Sequence, residues 1–369
     1  MSRKTLVLLT FMIPAWVLAQ QVVTNPEKPP HPQAGRILRL EKELSITDEQ
    51  DGFYFKRPRN LQVAPDGSMF LQDEDQLLMF DASGEFQKNL FKKGQGPGEV
   101  EQIIDYLISS DQITVLQAQP NKIVLLDRQG EFLREIKPDQ SFYRLFAIHG
   151  GRYYGAHNSR PQFEKLGDEP TIVDITWNIR IASDQGSVET TELNFPVKWF
   201  MQRIESAVIA NYIVDIVARP IGDRHLVIFH TQDYLLKLLD LDSGKVIREF
   251  SREYDPVKMK PDKTGQVETR PGTFTLVPPV DRFNDILNFF ILGDQIWVVT
   301  SALSADKGFL VDVFDSAGRY LDNFYLPLQN SIKQAGLSRH PLCITDAHLY
   351  VVEYGEDDIP VLVKYRMID

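Results

Sequence analysis

NLQVAPDGSMFLQDEDQLLMFDASGEFQKNLFKKGQGPGEV, residues 60–100, is the stretch that decides the fold. It reads as four short strands in succession. Leu61–Ala64 is apolar and ends at the turn Pro65-Asp66-Gly67, where Gly supplies the φ > 0 of a tight turn. Ser68–Gln72 follows and stops at the polar break Asp73-Glu74-Asp75. Gln76–Phe80 ends at a second turn, Asp81-Ala82-Ser83-Gly84, and Glu85–Phe91 runs into the glycine-rich Gly94–Glu99. Short strands with turn residues every eight to twelve positions mark an all-β module. A four-stranded sheet cannot bury both faces alone, but repeated around an axis it becomes a propeller blade.

The same grammar recurs along the chain. Ile103–Lys137 repeats it closely, and Met79-Phe80-Asp81-x-x-Gly84-Glu85-Phe86 matches Leu125-Leu126-Asp127-x-x-Gly130-Glu131-Phe132 position for position. Further copies run over Leu145–Pro196, Val214–Tyr254 and Leu287–Pro327, and a last one over Pro341–Ile368 has only three strands. The turn glycines Gly84, Gly130, Gly186, Gly244 and Gly318 lie 46, 56, 58 and 74 residues apart, a blade-like period rather than a helical-solenoid one. An insertion around 161–170, a short helix over Trp199–Ala210 and a long loop over 255–281 account for the growing gaps.

Six copies predict a six-bladed β-propeller of four-stranded antiparallel blades. The alternating segment Arg36–Ile46 stands outside any module, so it is the expected outer strand of the last blade, closing the ring against the strand that ends at Tyr365. Closure removes the sheet edges an open array would expose. The structural rival is a pair of β-sandwiches; the incomplete last copy favours the propeller.

A hydrophobic content of 43% and aromatic content of 11% are those of a packed globular chain of 369 residues. The formal net charge of −11 argues against a nucleic-acid partner, since phosphate binding is driven by Lys and Arg. Arg3-Lys4, the apolar run Leu6–Leu18 and Val17-Leu18-Ala19 before Gln20 have the layout of a signal peptide cleaved near Ala19. Residues 1–19 are therefore expected to be removed, 20–35 with four prolines to form a flexible linker, and 36–369 to form the propeller. The expected product is exported, periplasmic or extracellular, soluble, monomeric and not inserted in a membrane. Cys343 is the only cysteine, so no internal disulfide is available, and its apolar setting reads as a small buried side chain.

The run GQGPGEV after Leu90-Phe91-Lys92-Lys93, with VAPDGSMFLQD and LLMFDASGEFQKNL, resembles bacterial exported six-bladed propellers related to the NHL-repeat and TolB-like groups. The resemblance extends over roughly residues 36–369 and implies the fold. It implies little about activity, because the fold hosts unrelated functions.

Counting from the first turn of each copy, one column falls at the end of the second strand: Asp73, Ala118, His157, His230, Ser301 and Glu353. Two imidazoles and two carboxylates from four blades are a candidate divalent-metal set, Zn or Ca, near the axis; polar strand ends lining a wet channel are the plainer reading. Related six-bladed enzymes, gluconolactonase-like and amidating-lyase-like, place a metal on the axis. Arg59 and Arg339 align across the ring closure and are candidate carboxylate binders on the channel face. Gly94–Glu99 invites a phosphate reading, but it lacks the GK[ST] of a P-loop, and Pro97 removes a donor, so a crossing between blades fits better. No nucleophile motif is present. The expectation is an exported, non-catalytic module that binds a protein or small ligand at the channel face. The alternatives are a metal-dependent hydrolase or lyase using Asp73, His157, His230 and Glu353, and a structural subunit of an envelope complex.

Overall fold

The structure is a computed structural model and describes residues 21–48, 52–159, 171–204, 207–259, 266–269, 272–275, 280–328, 340–355 and 358–368. Three strands precede the first blade: β1 (Gln21–Asn25), β2 (Arg36–Ile37) and β3 (Arg39–Ile46). Blade one is β4 (Pro58–Val63), β5 (Met69–Asp73), β6 (Gln76–Phe80) and β7 (Phe86–Asn89). Blade two is β8 (Asp105–Ile108), β9 (Gln112–Ala118), β10 (Asn121–Asp127) and β11 (Phe132–Ile136). Blade three holds β12 (Arg144–His149), β13 (Arg152–Asn158), β14 (Thr171–Ser183), β15 (Val188–Ile204) and β16 (Ala207–Tyr212). Blade four is β17 (Ile216–Ile221), β18 (His225–His230), β19 (Leu236–Asp240) and β20 (Lys245–Arg252). A separate hairpin, β21 (Gln266–Thr269) with β22 (Gly272–Thr275), lies between blades four and five in sequence. Blade five is β23 (Ile286–Leu292), β24 (Gln295–Ser304), β25 (Gly308–Asp315) and β26 (Tyr320–Leu326). Blade six is β27 (Leu342–Ile344), β28 (His348–Tyr354) and β29 (Pro360–Ile368), completed by β3.

Within each blade neighbouring strands pair antiparallel, and no helix occurs among the described residues. The inner strands touch in the cyclic order β4, β8, β12, β17, β23, β27 and back to β4, so the molecule is a six-bladed β-propeller. Six apolar clusters fill the six interfaces between adjacent blades. Leu116, Ile123 and Ile136 of blade two, for example, meet Phe142, Leu145 and Tyr153 at blade three. Because β5, β6, β9 and β10 are buried on both faces, they read as unbroken apolar runs rather than alternating ones. The outer strand β7 is largely exposed and reads polar.

The repeated Asp-x-x-Gly turn has a local cause. The Asp127 carboxylate accepts the backbone N–H groups of Gln129 and Glu131 at 2.9 and 2.8 Å, folding the loop back on itself. Gly130 closes the turn with φ +79°, and a Cβ there would fall 2.3 Å from Leu90 of blade one. The glycine therefore meets a dihedral requirement and a close approach between blades at once. Asp81 and Asp315 hold their turns through the same pair of bonds.

The ring closes on the expected strand, with Lys42 opposite Tyr365 and Ile46 opposite Leu362. The first residues of the closing segment do something else. Arg36 and Ile37 add in parallel to the outside of blade five, opposite Phe324 and Tyr325, before β3 reaches blade six. The expected linker over 20–35 is also more structured than its prolines suggest, because β1 pairs in parallel with β20 on the outside of blade four. The N-terminal segment thus straps blades four, five and six in turn. Asn25 fastens it: its Nδ2 donates to the carbonyls of Ser251 and Gly318, and its Oδ1 accepts from Tyr320 N–H. Arg36 then pairs with Asp322 at 2.7 Å.

The helix expected over Trp199–Ala210 is absent. The described residues of that stretch, 199–204 and 207–210, belong to β15 and β16, where Trp199 pairs opposite Val173 and Tyr212. Its β-branched and aromatic content suits a strand, and the cross-strand pairing outweighs the helical spacing.

Candidate functional site

Each blade presents the unpaired edge of its inner strand to the axis. Together these six edges line a central channel of about 920 Å³. Its wall takes Arg59–Val63 from blade one, Ile104–Ile108 from blade two and Tyr143–Ile148 from blade three. Val217–Pro220, Asn288 with Phe290 and Ile291, and Leu342–Ile344 come from blades four, five and six. That volume falls within the range of small-molecule sites, and the wall mixes apolar side chains with few charged ones, as such sites do.

A chain of clasps joins adjacent blades around this channel. Gln62 Nε2 donates to the Tyr106 carbonyl at 2.5 Å, and Ile108 N–H returns a bond to Gln62 Oε1 at 3.0 Å. Asp105 accepts from Asn60 Nδ2 at 2.9 Å and from the Leu145 N–H of blade three at 2.9 Å. Arg144 reaches into blade four, to Asp215 at 2.8 Å and the Ile216 carbonyl at 3.3 Å. Arg219 reaches into blade five, with Nε on the Phe289 carbonyl at 2.7 Å and Nη2 on Asn288 Oδ1 at 3.4 Å.

The accepting residues Asp105, Asp215 and Asn288 share one local bonding pattern, although the blade-five residue in the register of Asp215 is Asp285. Each also takes the backbone N–H of the residue that follows it, at 2.9, 2.9 and 2.8 Å. Burial raises the Asp105 carboxyl, opposed by the Leu145 N–H and by Arg144. Burial lowers the Arg219 guanidinium, opposed by nearby Cys343 and Asp105, and an arginine so placed stays charged. Burial also pushes the Cys343 thiol up, so it is not an activated nucleophile.

The four residues of the metal column are not brought together as ligands, and among the described residues no group of three or more His, Cys, Asp or Glu can hold a metal ion. Asp73 is fully buried, and its two oxygens accept the Lys56 and Arg57 N–H groups at 2.7 and 2.6 Å. His157 stacks on Tyr143 with ring centres 5.2 Å apart. His230 faces Asp233 at 3.7 Å, and burial lowers its pKa. Glu353 accepts the Tyr365 hydroxyl at 2.7 Å. The two carboxylates of the column are thus taken up by protein donors, Asp73 by backbone N–H groups and Glu353 by the Tyr365 hydroxyl. Arg59 does line the channel, whereas Arg339 lies outside the described residues.

Gly94–Glu99 has filled its own anion position. Gly96 N–H donates to Glu99 Oε2 at 2.9 Å, and the crossing into blade two is held by Val100 N–H on the Lys92 carbonyl. Trp177 is core between blades three and four, and Trp199 borders the channel.

Sequence reasoning missed Asp105, Arg144, Asp215, Arg219 and Asn288 as a set. A signal was present in IIDYLI and IVDIVA, where Asp105 and Asp215 stand at the head of an inner strand; in FNDILN the matching residue is Asp285, and Asn288 follows three residues on. Counting from the first turn pointed to second-strand ends instead, a column that Arg219 does not enter.

The family profile DUF5128, described as a 6-bladed beta-propeller, matches residues 48–190, less than half of the chain. A Bacteroides fragilis protein described as exported is similar in structure, with a TM-score of 0.52 and 13% identity, over 95% of this chain and 100% of that one. A Bacteroides vulgatus member of the duf4221 family is similar with a TM-score of 0.53 and 12% identity, over 90% of this chain and 98% of that one. At such identities the likeness concerns the fold. No curated protein matches this chain.

Proposed function

We propose that the protein is an exported, non-catalytic binding module whose axial channel receives a small molecule. The observation that carries this reading is the channel itself: about 920 Å³, walled by all six inner strands, with polar groups held in place by clasps between blades. Export is supported by the leader-like pattern of Arg3-Lys4 and Leu6–Leu18, which lies outside the described residues, and by the similar Bacteroides fragilis protein described as exported. No helix among the described residues is long and apolar enough to cross a membrane. The blade grammar of residues 60–100 supports a place near the NHL-repeat and TolB-like propellers.

The test is retention. Protein incubated with a small-molecule extract of bacterial envelope, washed and denatured should release a compound in near-stoichiometric amount. Leu107→Trp, which places a large ring in the channel wall, should abolish retention while the folded circular dichroism spectrum persists. Equal retention by the folded variant would overturn the channel as the site.

A further inference from the structure

We propose that the channel's ligand is an organic carboxylate and that Arg219 is the group that grips it; this rests on the channel being the binding site. The reason lies in a comparison of the two arginine clasps. In blade three, Arg144 crosses to a carboxylate, Asp215, and its charge is matched there. In blade four, Arg219 also crosses to the next blade, but the side chain it meets is Asn288, an amide and not a carboxylate. Among the described residues no carboxylate lies within ion-pair distance of Arg219. Its bonds go to a carbonyl and an amide oxygen, which orient the guanidinium without neutralising it.

The surrounding charge points the same way. The chain carries a net −11, yet among the described residues the charged ones on the channel wall are three arginines, Arg59, Arg144 and Arg219, against one aspartate. The oxygens of that aspartate, Asp105, are occupied by Asn60, Tyr106 N–H and Leu145 N–H. A half-buried cation with no carboxylate in ion-pair contact is costly, and a bound carboxylate offsets that cost. The Arg219 guanidinium is also backed by the Phe289 and Phe290 rings, at 5.7 and 5.1 Å, so its free N–H groups are presented in a fixed plane suited to a planar carboxylate. Val217, Phe290 and Leu342 offer apolar wall for the rest of the molecule. One unmatched cation in such a wall favours a monoanion with an apolar body over inorganic phosphate.

Cys343, the one cysteine, lines the same channel and serves as the reporter. Its labelling by 2-sulfonatoethyl methanethiosulfonate, an anion, and by the 2-trimethylammonioethyl reagent, a cation, is followed by intact mass. The anionic reagent should react roughly tenfold faster, the scale of one unit charge acting across a few ångströms of partly screened channel. Arg219→Gln should remove the preference and Arg219→Lys should keep most of it. Phenylacetate should slow the labelling of the parent protein, and phenylacetamide should not. Equal reagent rates unchanged by Arg219→Gln, or equal protection by the amide, would overturn the carboxylate assignment and leave the channel reading standing. A Cys343 that neither reagent reaches in the folded protein would overturn the channel reading itself.

Discussion

Arg252 Nε lies 2.7 Å from Asp312 Oδ2 at the interface of blades four and five, with side chains 6% and 0% exposed. The Tyr234 and Tyr320 hydroxyls donate to the same carboxylate at 2.7 and 2.6 Å, and the rings of Tyr234, Tyr254 and Tyr320 flank the guanidinium. A buried pair is weak evidence for stability in itself, but breaking one is expensive. Asp312→Leu strands Arg252 and should cost about 3–5 kcal/mol in urea unfolding. Arg252→Met with Asp312→Leu should recover most of that loss. A double variant no more stable than the single one would show that the tyrosine bonds, not the charge, set the cost.

The N-terminal strap predicts a graded response to truncation. Removing residues through 35 takes away β1 and the Asn25 bonds but leaves closure intact, so the melting temperature should fall by several degrees. Removing residues through 46 also takes away β3, the outer strand of blade six, and should abolish a single cooperative transition. Differential scanning calorimetry of the two truncations decides; equal stability would contradict the closure.

Asp285 predicts a pH dependence. Burial raises its carboxyl to about 6 from an ordinary 3.8, against opposition from Arg282 and with Asp233 adding to the rise. The native state then holds more protons than the unfolded state between these values, so stability falls as pH rises through that window. Asp285→Asn should be nearly neutral at pH 4 and stabilising by up to about 2 kcal/mol at pH 7.5. Urea midpoints at the two pH values check it, and an equal effect at both would refute the assignment.

Asp73 tests the corrected reading of the strand-end column. Its carboxylate holds the Lys56 and Arg57 N–H groups, so Asp73→Ala should destabilise by about 2–3 kcal/mol by leaving them unpaired. His157→Ala should cost less, since its half-buried ring stacks on Tyr143 and it leaves no pair of loop N–H groups stranded. Equal losses in chemical unfolding would contradict the separate roles.

The fold was legible because its signals are local. Asp81-x-x-Gly84 and Asp127-x-x-Gly130 each fold through bonds within five residues, and β5 and β10 are buried enough to spell unbroken apolar runs. Closure by Arg36–Ile46 was legible by subtraction, as a strand-like segment outside any module, although only Arg39–Ile46 joins blade six. β1 was not, because proline-rich flanks hide a parallel pairing whose partner, β20, lies more than 200 residues away. The site was less legible for the same reason. Arg219 acquires its meaning from Asn288, 69 residues on, and from the absence there of the carboxylate that Asp215 gives Arg144. Strand-end polarity at Asp73 and Glu353 was visible, but its bonds run to the chain's own loops and to Tyr365.

The most direct measurement is a crystal structure of the protein grown with phenylacetate. The account predicts the carboxylate inside the channel within hydrogen-bond distance of the Arg219 guanidinium, with the ring against the apolar wall. An empty channel at saturating phenylacetate, or ligand found only on the outer surface, would contradict it.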